Sequence, residues 1–217
     1  MGKLSQSGVG FWYGKLKSQL ELLKEKKDKE PLERAFALDI ALSYLFLYLF
    51  IESTIDQLAM NLFPQVLRLN SYDKYKSQRR NIYQKVEYLF GSFCSILPFQ
   101  RYSDLRDKIK PITNMRNNVV HLEEMVWYVN DLFDKEGKMN SHHKEIPNKY
   151  TKDLTITALR NHYESAWEFL EVFRVTLNDG LGNRSIEVNY DGEKRTINLV
   201  DYMYEISVVP PKNRVEF

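Results

Sequence analysis

The stretch Ile40-Ala41-Leu42-Ser43-Tyr44-Leu45-Phe46-Leu47-Tyr48-Leu49-Phe50-Ile51 is apolar nearly all round. Whether it crosses a bilayer or lies inside a helical bundle decides the fold. Asp39 and Glu52 bound it at 12 residues, where a spanning helix needs about 20. The reading is therefore a buried bundle helix. It can begin at Pro31, whose missing N–H is no loss in a first turn, and it runs to about Phe63, where Pro64 stops it. A helix that is hydrophobic on every side must be covered on most of them, by its own bundle or also by a second subunit.

The segments on either side supply that cover. Trp12, Leu16, Leu20 and Leu23 stand at helical spacing ahead of the charge run 24–30, which predicts a short amphipathic helix with a solvated end. The polar segment 71–80 reads as a connector or a helix start, and Ile82, Val86, Leu89, Phe90, Phe93 and Leu97 form a further stripe ending at Pro98. Leu159, Tyr163, Ala166, Trp167, Leu170, Phe173 and Leu177 make the clearest 3.6-residue stripe in the chain, closed by Asp179-Gly180. The period then changes. Ile186, Val188 and Tyr190 alternate with polar residues, Asp191-Gly192 supplies a hairpin turn, and Thr196-Ile197-Asn198-Leu199 alternates again. These patterns predict an all-α protein, an antiparallel four-helix-type bundle with an extra N-terminal helix and a small C-terminal β-hairpin. The expected divisions are an N-terminal helix and charged linker over 1–30, the bundle over 31–180, and the hairpin with a tail over 181–217.

At 217 residues and 43% hydrophobic content, the chain suffices for one sizeable core. Its formal charge of +2 gives no general attraction to nucleic acid, so any basic footprint must be local. A single cysteine, Cys94, excludes an internal disulfide framework and a thiolate metal cluster. The N-terminus has no signal-like apolar run, and a reducing, cytoplasmic setting without membrane insertion is expected.

The chemistry is concentrated in the helix expected over 110–128, whose start either Ser103-Asp104 or Pro111 could provide. Ile112, Met115, Val119, Leu122, Val126 and Val129 collect on one arc, while Thr113, Asn114, Asn117, His121 and Glu124 collect on the opposite one. A solvated helix face normally carries Lys, Glu and Arg. This one carries neutral polar side chains, with strong charges at its edges, which suggests packing against another polar surface. Arg116-Asn117-Asn118-Val119-Val120-His121 has an Arg, an adjoining Asn and a His five positions after the Arg. It resembles the R-x4-6-H motif of the HEPN superfamily, in the R-N-x-x-x-H form common among its active members.

Cleaving RNA without a metal requires a base for the ribose 2′-hydroxyl and a fixed positive charge for the phosphate oxygens. Imidazole can accept a proton near pH 7, and guanidinium offers a permanently charged donor fork. The resemblance implies this chemistry: His121 and Arg116 as catalytic residues, a 2′,3′-cyclic phosphate product, and neither metal nor cofactor. Five residues place Arg116 and His121 about 140° apart on an ideal helix, whereas Asn117 and His121 lie side by side. Asn117 is thus the supporting residue, orienting the imidazole or binding phosphate. The resemblance also implies a homodimer in which two motifs converge on one cleft; the shortage of charge on both surfaces puts the Thr113-Asn114-Asn117-His121 face and part of the apolar helix between Asp39 and Glu52 in its interface. An RNA substrate and an antitoxin or other regulatory partner belong to the same expectation. Some relatives paired with nucleotidyltransferase antitoxins carry a Tyr two residues after the His; here that residue is Glu123.

Other readings of these residues stand beside this one. Arg116 and His121 can be a structural pair in a non-catalytic HEPN-like dimer that binds or scaffolds, or a chance match on an unrelated bundle. His142-His143 lack evident partner ligands and read as solvated rather than metal-binding. Lys138, Lys144, Lys149 and Lys152 form either a local phosphate grip or the ordinary content of an exposed loop. Arg160-Asn161-His162 has the wrong spacing for the motif.

Overall fold

The computed structural model describes residues 8–26, 34–66, 75, 81–94, 99–120, 135–136, 154–190, 193–207 and 214–217. Among these, the chain is mostly helical with one antiparallel two-stranded sheet near its C-terminal end. The elements are α1 (Gly8–Lys24), α2 (Arg34–Val66), α3 (Ile82–Phe93), α4 (Phe99–Val120), α5 (Ile156–Gly180), β1 (Ser185–Tyr190), β2 (Glu193–Asn198) and α6 (Leu199–Ser207).

Helix α2 is the central element, and α1, α3, α4, α5 and α6 all pack against it. Its apolar character extends well past the 12-residue run: Leu38–Phe63, 26 residues of mean hydropathy 1.6, is long and apolar enough by length and composition to cross a membrane. Asp39, Glu52 and Asp56 do not interrupt it because each is held at the side of the helix, Asp39 by Gln19 and Lys26, the other two by Lys85. Tyr44, Leu47, Phe50, Ile51, Leu58 and Phe63 are fully or almost fully buried and form the middle of the core. Pro64 does not stop the helix where expected. The chain continues helically to Val66, since a proline φ is itself helical and only one carbonyl partner is lost before the end.

Helix α1 buries Val9, Tyr13, Leu16, Leu20 and Leu23 against α2. Helix α3 opens with a capping box: the Asn81 Oδ1 accepts from Gln84 N–H at 3.0 Å, and the Gln84 Oε1 accepts from Asn81 N–H at 3.1 Å. All seven residues of the α5 stripe are buried, and Thr155 caps that helix by accepting from Ala158 N–H at 3.0 Å. The chain reverses later than Asp179-Gly180. Gly180 is still helical, and the left-handed positions are Gly182 and Asn183, at φ 64° and 54°. Gly180 has a different purpose, because a Cβ there would collide with the Cys94 sulfur at the end of α3.

The hairpin pairs Ser185 with Asn198 through to Tyr190 with Glu193. Beyond it the expected tail is instead helix α6. Leu199, Val200, Met203 and Tyr204 are buried at helical spacing, and the Asn198 Oδ1 caps the helix by accepting from Val200 and Asp201 N–H at 2.9 and 3.2 Å. The hairpin turn Asp191-Gly192, together with Pro31, Leu97 and Pro98, lies outside the described residues.

Candidate active site

Helix α4 carries the motif from Arg116 to Val120, the rest of the helix expected over 110–128 lying outside the described residues, and it starts earlier than either expected position. It begins at Phe99 and runs straight through Pro111. The proline removes the N–H that would bond the carbonyl four residues back, at Asp107, an exposed position where water can serve instead. Because α4 packs against both α2 and α5, its buried arc is broad: Leu105, Ile109, Ile112, Thr113 and Met115 are all within it. Thr113 was expected on the polar, partner-facing side. It is 8% exposed, and its hydroxyl is buried without a hydrogen-bond partner. Asn114 and Asn117 are exposed as expected.

Arg116 does not stand at the edge of the polar face. It lies four residues after Ile112 and seven after Ile109, so helical spacing turns its stem inward with them. The side chain is half-buried, with its guanidinium carbon 5.0 Å from the centre of the Tyr48 ring on α2. A cation over an aromatic face is favoured by the ring quadrupole. The Nε is buried and has no hydrogen-bond partner among the described residues, while one terminal nitrogen donates to the Asn117 Oδ1 at 3.0 Å. The stem therefore runs along the core and the tip emerges beside Asn117, the way long cationic side chains cover apolar surface.

Tyr48 is the residue that sequence reasoning missed. Its ring is 4% exposed, and its hydroxyl pKa is pushed up to about 12, first by burial and next by the charge of Glu52, with Arg116 pulling the other way. Glu52 and Asp56, one and two turns further along α2, are bridged by Lys85 of α3 at 2.9 and 2.8 Å. Burial alone would lower the Lys85 pKa, but hydrogen bonds to Asp56 and Glu52 outweigh it and leave it raised. Tyr75 donates to Asp56 at 2.6 Å. These carboxylates are thus occupied. Among the described residues none pairs with Arg116, whereas Arg174 and Arg214 hold Asp201 and Glu164.

His121 lies outside the described residues, as do Glu123, His142-His143, and Lys138, Lys144, Lys149 and Lys152. The structure thus brings together Arg116 and Asn117 and adds Tyr48. Arg160 is stacked on Phe217, 5.3 Å from the ring centre, and the neighbouring His162 is hydrogen-bonded at 2.6 Å to the buried Tyr44 hydroxyl. Both residues of that look-alike sequence have structural occupations. Among the described residues no group of three or more His, Cys, Asp or Glu side chains converges on a point.

No family model, curated protein or solved structure matches this chain. The site has to be read from its own chemistry: a guanidinium whose stem is clamped, whose tip is presented next to a carboxamide, and whose charge no described carboxylate takes.

Proposed function

We propose that the chain is a HEPN-like, metal-independent endoribonuclease acting on single-stranded RNA. The observation that carries this reading is the state of Arg116. A surface arginine with no role finds a carboxylate or solvent; this one is fixed against Tyr48, bonded to Asn117, and among the described residues paired with no carboxylate. A pre-positioned cation of this kind stabilises negative charge as it accumulates on phosphate oxygens. In the proposed reaction His121 takes the proton of a ribose 2′-hydroxyl and the 2′-oxygen forms a bond to the adjacent phosphorus. The bond from phosphorus to the 5′-oxygen breaks, and that oxygen takes a proton from the imidazolium so formed and leaves as a 5′-hydroxyl. Asn117 holds the guanidinium tip, and through it the phosphate. The product end is a 2′,3′-cyclic phosphate.

The reading includes a homodimer with the two motifs facing one another. Its support is the outward side of α2, where Leu38 is 51% exposed and Leu42, Leu45 and Leu49 are only half-buried, at spacings of four, three and four. This apolar strip adjoins Tyr48 and hence Arg116. Thr113, being buried in the fold, has no part in the interface, which is drawn instead from Asn114, Asn117 and the leucine strip.

The test is the chemistry of the cut ends. Single-stranded RNA incubated with the protein in EDTA should yield fragments ending in 2′,3′-cyclic phosphate and 5′-hydroxyl. Fragments with 3′-hydroxyl ends, or cutting that needs Mg²⁺, would refute the mechanism. RNA bound but left whole would favour the non-catalytic, scaffolding alternative.

A further inference from the structure

A cavity of about 860 Å³ opens between α4, α5, α6 and the segment 214–217. By helix rise it lies about 12 Å along α4 from Arg116, since Lys108 stands eight residues earlier. Its volume is within the range typical of small-molecule sites. Three cations from three different parts of the chain line it, Lys108 of α4, Arg174 of α5 and Arg214, together with three carboxylates, Glu168, Glu171 and Asp201. Trp167, Val172 and Tyr204 form an apolar wall, with the Arg214 guanidinium carbon 5.5 Å from the centre of the Trp167 ring.

Each cation has a carboxylate partner: Lys108 holds Glu168, Arg174 holds Glu171 and Asp201, and Arg214 holds Glu164. In every pair the carboxylate is the outer member. Side-chain exposure is 60% for Glu168 against 31% for Lys108, 56% and 40% for Glu171 and Asp201 against 23% for Arg174, and 53% for Glu164 against 31% for Arg214. The single-contact pairs of Lys108 and Arg214 are partly exposed and weak, so an anion entering the cavity meets two cations whose partners can swing into solvent, beside Arg174, which both Glu171 oxygens and Asp201 hold in place. Three cations match a phosphomonoester, which carries close to two negative charges near pH 7, better than a singly charged carboxylate. The space left over, faced by Trp and Tyr, suits a flat ring.

We propose that this cavity binds a nucleoside monophosphate, the phosphate taken by Lys108, Arg174 and Arg214 and the base lying against the wall of Trp167, Val172 and Tyr204. The site shares no residue with the Arg116 cluster and does not depend on the ribonuclease reading.

The experiment is isothermal titration of the full chain with AMP, adenosine, inorganic phosphate and decanoate, repeated with Lys108→Gln, Arg214→Gln and Arg116→Gln proteins whose melting matches wild type. AMP is expected to saturate one site per chain, with adenosine and inorganic phosphate each at least about tenfold weaker. Lys108→Gln and Arg214→Gln should weaken AMP at least about tenfold, a loss typical of a charged hydrogen bond to phosphate. Arg116→Gln should leave AMP binding unchanged. Absence of AMP saturation at millimolar concentration would overturn the proposal. So would equal AMP affinity in both cavity variants, loss of AMP binding in Arg116→Gln alone, or decanoate binding as tightly as AMP.

Discussion

Replacing Tyr48 by Phe leaves the ring under Arg116 and removes only the hydroxyl, so it isolates one buried ionisable group at the candidate site. In the folded protein that hydroxyl titrates near 12 rather than its ordinary 10.0. A raised folded pKa means that, between the two values, the unfolded chain releases its proton while the folded chain keeps it. Stability is therefore fully present below pH 10 and is lost as pH rises toward 12. At pH 10.5 the loss from Tyr48 alone is on the order of 1 kcal/mol, and its limit above both values is about 3 kcal/mol. Burial also raises the hydroxyl pKa values of Tyr13, Tyr102, Tyr163 and Tyr204, so the whole protein should weaken in alkali. The informative quantity is the difference between wild type and Tyr48→Phe in urea unfolding at pH 8 and at pH 10.5. Relative to wild type, the variant should gain on the order of 1 kcal/mol of stability between those conditions. Parallel losses in the two proteins would show that Tyr48 ionises freely, and that the packing of Arg116 and α2 around it is not as described.

Other perturbations test the frame that holds the site. Gly180→Ala should destabilise by about 1–3 kcal/mol through overpacking, outweighing the roughly 1 kcal/mol that alanine gains in a helix. Cys94→Gly should restore only part in a double-mutant cycle, because the Cys94 Cα would still stand 3.2 Å from the new Cβ. Leu170→Ala, at a fully buried position, should cost about 2–5 kcal/mol in a urea melt, while Leu22→Ala, at a residue 61% exposed, should stay within about 0.5 kcal/mol of wild type. Leu45→Glu with Leu49→Glu should shift the proposed dimer to monomer in sedimentation equilibrium while the circular dichroism spectrum stays helical. A wild type that is already monomeric at tens of micromolar, on the order of a working concentration for a specific interface, would remove the two-motif cleft.

Periodicity alone revealed the parts of the fold where one face of one element meets the core. All seven α5 positions from Leu159 to Leu177 are buried, and the hairpin pairs as its alternation predicts. It fell short where burial depends on how many neighbours an element has. Thr113 reads as polar-faced if α4 touches one helix and is buried because it touches two. Leu199 reads as the last strand residue, yet it opens α6, whose signal was the capping Asn198 followed by apolar pairs at 199–200 and 203–204. The Asn81–Gln84 capping box was equally visible and went unread. At the site, Arg116 and Asn117 were legible as residues. The inward aim of Arg116 was contained in its spacing from Ile109 and Ile112, but its charge argued against placing it with them. Tyr48 as its platform was not legible, since contact between α2 and α4 is tertiary and a tyrosine inside an apolar run looks like packing.

In the proposed function Arg116 and His121 together cut RNA without a metal. Cleavage rates of a single-stranded RNA in EDTA, measured for wild type, Arg116→Gln, His121→Ala and Asn117→Ala proteins of equal thermal stability, test it most directly. Wild type should cut without metal, the first two variants should each lose at least about 10²-fold, and the third should lose less. Wild-type rates in both Arg116→Gln and His121→Ala, or activity that appears only when Mg²⁺ is added, would contradict it.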